Sequence, residues 1–348
     1  MDEEQFAVFL QQAFEQADRE NSVEERTAQA LILALLSVRA LLEELPDGLL
    51  REQAWQRMLP QVQAALEPYA SRLSSELFSE LAAMAPTSLD GASQLARIAA
   101  PFVLLSPQSP EVLQAIMNTR VGSRHLSELF AAGQQSSPFV RETVRTIDRT
   151  VRLGILKGLT TAEIADQVVG VSATPGAIVA TTRTTGTLNA ARSIRANARA
   201  ITRTAIQDAD RLLKDVFYKS NDRILQTFVW EWVAVLDSRT CPTCAPLDGD
   251  TWDTQIEAPT WPIHINCRCQ LVPVQPSAPP IKIDYPDFLA QSTPEIQEGF
   301  FGDGEAGTKR ASTFRRLLDR GLSPDKALQK MIDIRDGVGY FKSPDYVY

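Results

Sequence analysis

Every cysteine of this 348-residue chain, and one of its two histidines, falls within a single stretch, 228–274. Cys241 and Cys244 form a Cys-Pro-Thr-Cys knuckle, and His264, Cys267 and Cys269 follow as His-Ile-Asn-Cys-Arg-Cys, beginning 20 residues after Cys244. A Pro-containing C-x-x-C turn aims two thiolates at one point, while an H-x-x-C turn brings an imidazole and a thiolate from the other side. That is the pattern of one structural, tetrahedral zinc held by two chain segments. Five groups compete for four positions. The expected ligands are Cys241, Cys244, His264 and Cys267, with Cys269 as an alternative ligand or as a thiol behind them. The same cysteines could instead pair as disulfides, but the acidic start Met-Asp-Glu-Glu shows no secretory signal, and a reducing compartment favours thiolates. A thioredoxin-like role is disfavoured because no βαβ pattern frames the C-x-x-C.

The sequence around the cluster predicts a small β-unit. Phe228, Trp230, Trp232, Ala234 and Leu236 alternate with Val229, Glu231, Val233 and Val235, an aromatic and β-branched run that reads as a buried strand. Asp248-Gly249 signals a hairpin, Thr251-Trp252 begins a return strand, and the segment after Cys269, Gln-Leu-Val-Pro-Val, supplies another.

Taken together, Asp237-x-Arg239-Thr-Cys241-x-x-Cys244, then Leu247-Asp-Gly249, then Pro262-x-His264-x-x-Cys267-Arg268-Cys269 resembles the phage Mu F-like minor head proteins, also called phage head morphogenesis proteins. Ile265 stands where that family commonly has proline after the histidine. The resemblance extends more loosely over 140–335, while the first 135 residues match nothing recognisable. It implies a minor structural protein of a tailed-phage head, entering during procapsid assembly in the head interior or at the portal vertex. The partners it implies are portal, capsid and scaffold proteins, with several copies per head, and double-stranded DNA for some members. The host cytoplasm is the implied location during assembly.

Charge adds an independent observation. The chain carries a net −8, yet residues 141–219 hold 13 Lys/Arg against 7 Asp/Glu, a basic middle between acidic flanks. Arg141, Arg145, Arg149 and Arg152 recur at helical spacing, as do Arg192, Arg195, Arg199 and Arg203. Such ridges suit phosphate contacts, and all eight are candidate nucleic-acid-binding residues; the competing reading is a solvated helix face. The helix carrying the second ridge includes Ala198-Arg-Ala-Ile-Thr-Arg-Thr-Ala205, which resembles the family's Arg-Thr helix except that Ala205 replaces its usual glutamate. A helix-turn-helix over 161–183 is disfavoured, because the second helix would open without base-reading side chains.

The rest of the chain reads as helical. Phe6, Phe9, Leu10, Ala13, Phe14 and Ala17 form one apolar stripe over 4–18, and further helices are expected at 24–45, 49–58, 60–84, 90–105 and 110–131. The apolar run from Leu31 to Leu42, interrupted by Ser37 and Arg39, is too short to span a bilayer, so no membrane association is expected. Gly158 is expected to close a helix and Thr160 with Glu163 to cap the next. A helix over 185–220 precedes the β-unit. Pro273–Pro280 reads as a stiff linker, and Ser323-Pro324 opens a last helix.

The expected fold class is α+β, with mainly helical N-terminal and middle regions and a metal-stapled β-unit near 228–274. The expected domains are a helical 1–135, a basic helical 136–222, the β-unit 223–274, and a Pro-rich linker with a helical tail over 275–348. No enzyme is expected. Of the two histidines, His264 is claimed by the metal and His125 stands alone, and a closed four-ligand site leaves no position for a reacting water. The alternative is a metal-dependent nuclease-like or toxin-like enzyme using Asp237, Asp248 or Asp250.

Overall fold

The computed structural model describes residues 3–44, 52–99, 104–131, 136–169, 190–234, 243–264, 267, 269–276, 285–301, 304–335 and 338–341. In chain order these form α1 (Glu3–Glu43), α2 (Glu52–Ala99), α3 (Ser109–Met117), β1 (Arg120–Val121), β2 (Arg124–His125), α4 (Leu126–Phe130) and α5 (Pro138–Leu156). Next come α6 (Thr161–Val169), α7 (Ala190–Ser220), α8 (Asp222–Leu225) and β3 (Val229–Val233), then β4 (Thr251–Trp252) and β5 (Gln270–Val274). The C-terminal elements are α9 (Tyr285–Gln291), α10 (Pro294–Phe301), α11 (Gly304–Asp319), α12 (Pro324–Met331), β6 (Ile332–Arg335) and β7 (Val338–Phe341). Long helices with small antiparallel sheets make an α+β fold. The chain divides into two compact units, each built from separated segments: 16–85 with 112–209, and 1–15 with 86–111 and 210–348.

The first unit is helical, and its α2 shows how burial overrides helix breakers. Where Pro60 suggested a break, the helix runs on, because Trp55, Met58, Val62, Leu66, Tyr69, Leu73, Leu77, Leu81 and Met84 keep one buried stripe at three- and four-residue steps. Pro60 and Pro68 fall on the exposed side, where the carbonyls of Gln56 and Ala64, which lose their helical donors, can turn to solvent. The two N-terminal helices expected at 4–18 and 24–45 are likewise one, α1. Across their junction Val23 is fully buried, and Arg19 and Arg26 reach Glu80 and Glu76 of α2. The side chains of the Phe6 to Ala17 stripe lie outside the described residues.

The helix expected at 110–131 is instead α3, a two-residue hairpin and α4. Gly122, at φ 63°, makes the turn between β1 and β2, a conformation that ends the helix there. His125 opens α4, its ring nitrogen Nε2 lying 3.0 Å from Arg120 Nη2. α5 opens on a local cap: the Ser137 hydroxyl accepts from Val140 N–H, and Pro138 occupies the first turn. It ends at Gly158, φ 69°. Thr160 and Glu163 then form the reciprocal cap of α6. Thr160 N–H donates to Glu163 Oε2 at 2.8 Å, which holds the Glu163 carboxyl below its usual range, and Glu163 N–H donates to Thr160 Oγ1 at 3.3 Å. α6 packs so closely on α5 that a Cβ at Gly154 would meet Ile164 Cγ1 at 2.6 Å. Ala205, at the position where the sequence departs from the Arg-Thr helix pattern, is fully buried.

The second unit is organised by the sheet β4-β3-β5, antiparallel throughout, with Trp230 opposite Trp252 and Pro273, and Trp232 opposite Leu271. Both faces of β3 are covered. Trp230, Trp232 and Ala234 join Phe217, Tyr218, Trp261 and Leu271 in one core, the Tyr218 and Trp230 rings meeting edge-on at 5.1 Å. Val233, Val272 and Val274 face the other way onto Leu95. Beside that face Lys214 is fully buried. Its ammonium pairs with Asp210 at 2.9 Å and donates to Gln12 at 2.8 Å and Gln270 at 2.5 Å, so the buried charge is compensated and hydrogen-bonded. A further core gathers Leu289, Phe301, Phe314, Leu317, Leu328 and Met331 from α9 to α12, with Ser323-Pro324 opening α12 as expected.

Candidate metal centre

The loop between β3 and β4 is tied down by the Leu247-Asp248-Gly249 motif. The Asp248 carboxylate accepts from Ala234 N–H at 2.7 Å. Gly249 turns with φ 74° and donates to Trp232 O at 2.9 Å, while Trp232 N–H donates to Asp250 O at 2.8 Å. The aspartate and glycine therefore read as a turn that fixes the loop on β3. A short 3₁₀ turn, Ala245–Leu247, immediately precedes the motif and carries Cys244 at its start. On the second segment Cys267 N–H donates to His264 O at 3.1 Å, curling His264 and Cys267 onto one side, and Cys269 leads directly into β5.

These three stretches place Cys244, Cys267 and Cys269 together, their sulfurs within 4.8 Å of one another and all three buried. Cys244 Sγ lies 3.8 Å from Cys267 Sγ and 3.2 Å from His264 Nε2. A tetrahedron of Zn–S bonds about 2.3 Å long has edges of roughly 3.8 Å, so the sulfur spacing is that of ligands around one ion. No disulfide joins the three cysteines. The Cys267 thiol is held far below the ordinary thiol range by hydrogen bonds first from Cys244 and Cys269, then from His264, which favours the thiolate a metal requires. The donor set is soft and largely buried under Trp232, Trp261 and Leu271, in the same core cluster as the cysteines. Three thiolates and an imidazole suit a closed structural site.

Of the expected ligands, Cys244, His264 and Cys267 are brought together, and Cys269 stands among them. Cys241 lies outside the described residues, as does Asp237. The arginines fare unevenly. Arg145 and Arg149 of α5 are exposed, Arg145 beside Glu142 at 3.2 Å, and exposed Arg141 donates to Ser136 O at 2.6 Å. Arg152 is tied to Asp148 at 2.9 Å and to Glu52. On α7, Arg192 is exposed, Arg195 and Arg199 share Glu24, and Arg203 pairs with Glu20 at 2.7 Å. What sequence reasoning missed is the contribution of Trp261 and of the aromatic pair Phe217-Tyr218 to the wall behind the cysteines. Their i, i+1 and loop placements give no periodic signal.

Residues 145–272 match the family model described as Phage Mu protein F like protein. No curated protein and no solved structure matches the chain. The matched span runs from α5 through the whole cysteine cluster to β5.

Proposed function

We propose that this chain is a phage head morphogenesis protein of the Phage Mu protein F like kind, acting as a minor structural protein during procapsid assembly at the portal vertex; the match of residues 145–272 to that family model supports this reading. The observation that carries this reading is that the family span takes in the whole Cys/His cluster together with β3 and β4 and reaches into β5. A zinc ion held by Cys244, His264, Cys267 and Cys269 would staple β5 and the β3–β4 loop into one body. Structural zinc contributes on the order of 10–16 kcal/mol to such small folds, enough to fix a three-stranded sheet with strands of two to five residues. Portal and capsid subunits are the proposed partners, with several copies entering each head. Among the described residues no helix is long and apolar enough to cross a membrane.

Contact with packaged double-stranded DNA is proposed for Arg141, Arg145 and Arg149, the exposed part of the α5 ridge. Arg152, Arg195, Arg199 and Arg203 already hold carboxylates, so phosphate contact by them would first have to exchange a protein partner. The role in assembly is tested by purifying procapsids from cells making all head proteins and quantifying this chain in them by mass spectrometry. Several copies per procapsid are expected, falling sharply with Cys267→Ser. Procapsids that assemble at normal yield and composition without the chain would overturn the assignment.

A further inference from the structure

The C-terminal helices α9 to α12 form a core of their own. Leu289, Phe301, Phe314, Leu317, Leu328 and Met331 are buried in it, the Phe301 and Phe314 rings meeting at a tilt with 5.4 Å between centres. Hydrogen bonds cross between the helices. Gln297 Nε2 of α10 donates to Leu289 O of α9 at 2.9 Å; from α11, Arg310 Nη1 donates to Phe301 O at 2.9 Å and Arg315 Nη1 to Gln297 Oε1 at 3.0 Å. Among the described residues of this core, one comes from outside 289–332. It is Ala245, 1% exposed, the residue after Cys244.

Neighbouring residues of one short turn therefore belong to two cores. Cys244 and Leu247 pack in the cluster that holds Trp232, Trp261, Cys267 and Cys269, while Ala245 between them packs among the C-terminal helices. Leu247 N–H donates to Cys244 O at 3.1 Å and Asp248 N–H to Ala245 O at 3.2 Å, so the position of Ala245 follows that of Cys244. Asp248, bonded to Ala234 N–H, fixes the far end of the turn, and the cysteine is its near end. Burying one methyl group stabilises less than the chain entropy lost in fixing the turn that presents it. The contact is favourable only while something else fixes the turn, and a bond from Cys244 Sγ to a metal would do so.

We propose that the cysteine centre is a metal-operated latch on the C-terminal helices. With zinc bound, Cys244 holds Ala245 in their core; without it the turn loosens, and α9 to α12 lose this anchor on the β-unit. The latch rests on the reading of Cys244, His264, Cys267 and Cys269 as zinc ligands, and adds a response outside the β-unit. Linkage makes the coupling reciprocal: if zinc steadies the helices, the helices steady zinc by the same factor.

The test is hydrogen–deuterium exchange of the full-length protein, zinc-loaded and after chelation, read by mass spectrometry in peptides from α9 to α12. β5 reports on the site itself, and α5, in the other compact unit, is the reference. Chelation is expected to speed exchange in β5, to speed it at least about fivefold in α9 to α12, the low end of coupling between sites, and to leave α5 unchanged. Ala245→Asp puts a carboxylate into the helical core and alters no sulfur. It is expected to speed exchange in α9 to α12 in protein still loaded with one zinc per chain. Phe314→Ala opens the same core from the helical side and is expected to weaken zinc by a comparable factor in competition with a chelating dye. Exchange in α9 to α12 that ignores chelation while β5 responds, or zinc affinity unchanged in Phe314→Ala, would overturn the latch and leave the zinc site standing. A rise in α5 alongside the rest would mean general unfolding and would overturn it as well. Protein that takes up no zinc would remove the metal reading and the latch with it.

Discussion

At the scale of single residues, Cys269 and Gly154 carry the sharpest expectations. Cys269 is buried beside two sulfurs that stand at zinc-ligand spacing, so replacing its thiolate with a weaker oxygen donor should damage the site. Cys269→Ser is expected to bind zinc at least about tenfold more weakly in competition with a chelating dye, the scale of losing a ligand or the group that supports one. Affinity equal to the parent chain would remove Cys269 from the site. Gly154 has no room for a methyl group, since Ile164 stands where it would go. Gly154→Ala is expected to lower stability by about 1–3 kcal/mol in urea unfolding, the usual cost of overpacking, despite alanine's better helix propensity. A gain in stability would mean that α6 can shift away from α5. Neither effect was legible in the sequence. Five metal donors for four positions left Cys269 undecided, and the closeness of Gly154 to Ile164 depends on the angle between two helices.

At the scale of elements, the sequence announced those whose own pattern decides them. The alternation from Phe228 to Ala234 gave β3, Asp248-Gly249 gave its turn, and Gly158 and Thr160-x-x-Glu163 gave the end of α5 and the start of α6. It failed where packing decides. Pro60 looks like a break until a buried stripe carries α2 past it, and β1 and β2, two residues each, are too short for any period. The basic ridges were legible as spacing but not as availability, because Glu20, Glu24 and Glu52 come from segments far away in the chain. This separates the two ridges experimentally. Arg141, Arg145 and Arg149 changed together to Gln are expected to reduce the slope of log K against log salt for duplex DNA by about 2.7 in magnitude, since each phosphate contact contributes about 0.9. Replacing Arg195 and Arg203 is expected to leave that slope unchanged and to lower stability instead. An unaltered slope in the α5 variant would rule out DNA contact through that ridge.

At the scale of the whole molecule, each compact unit is assembled from distant segments, and α1, α2 and α7 contribute residues to both. The family span begins in α5, within the helical unit, and ends in β5, within the other. In that second unit the described sheet has only three strands, one of them two residues long, and the cysteine cluster is the feature that joins the β3–β4 loop to the entry of β5. Cohesion of the β-unit is therefore expected to depend on the metal. The most direct measurement is elemental analysis of the full-length protein purified without added metal, with a thiol count before and after chelation. One zinc per chain is predicted, with thiols that react only once the zinc is removed and a β-unit that melts at lower temperature without it. Metal-free protein with disulfide-bonded cysteines and an unchanged melting temperature after chelation would contradict it.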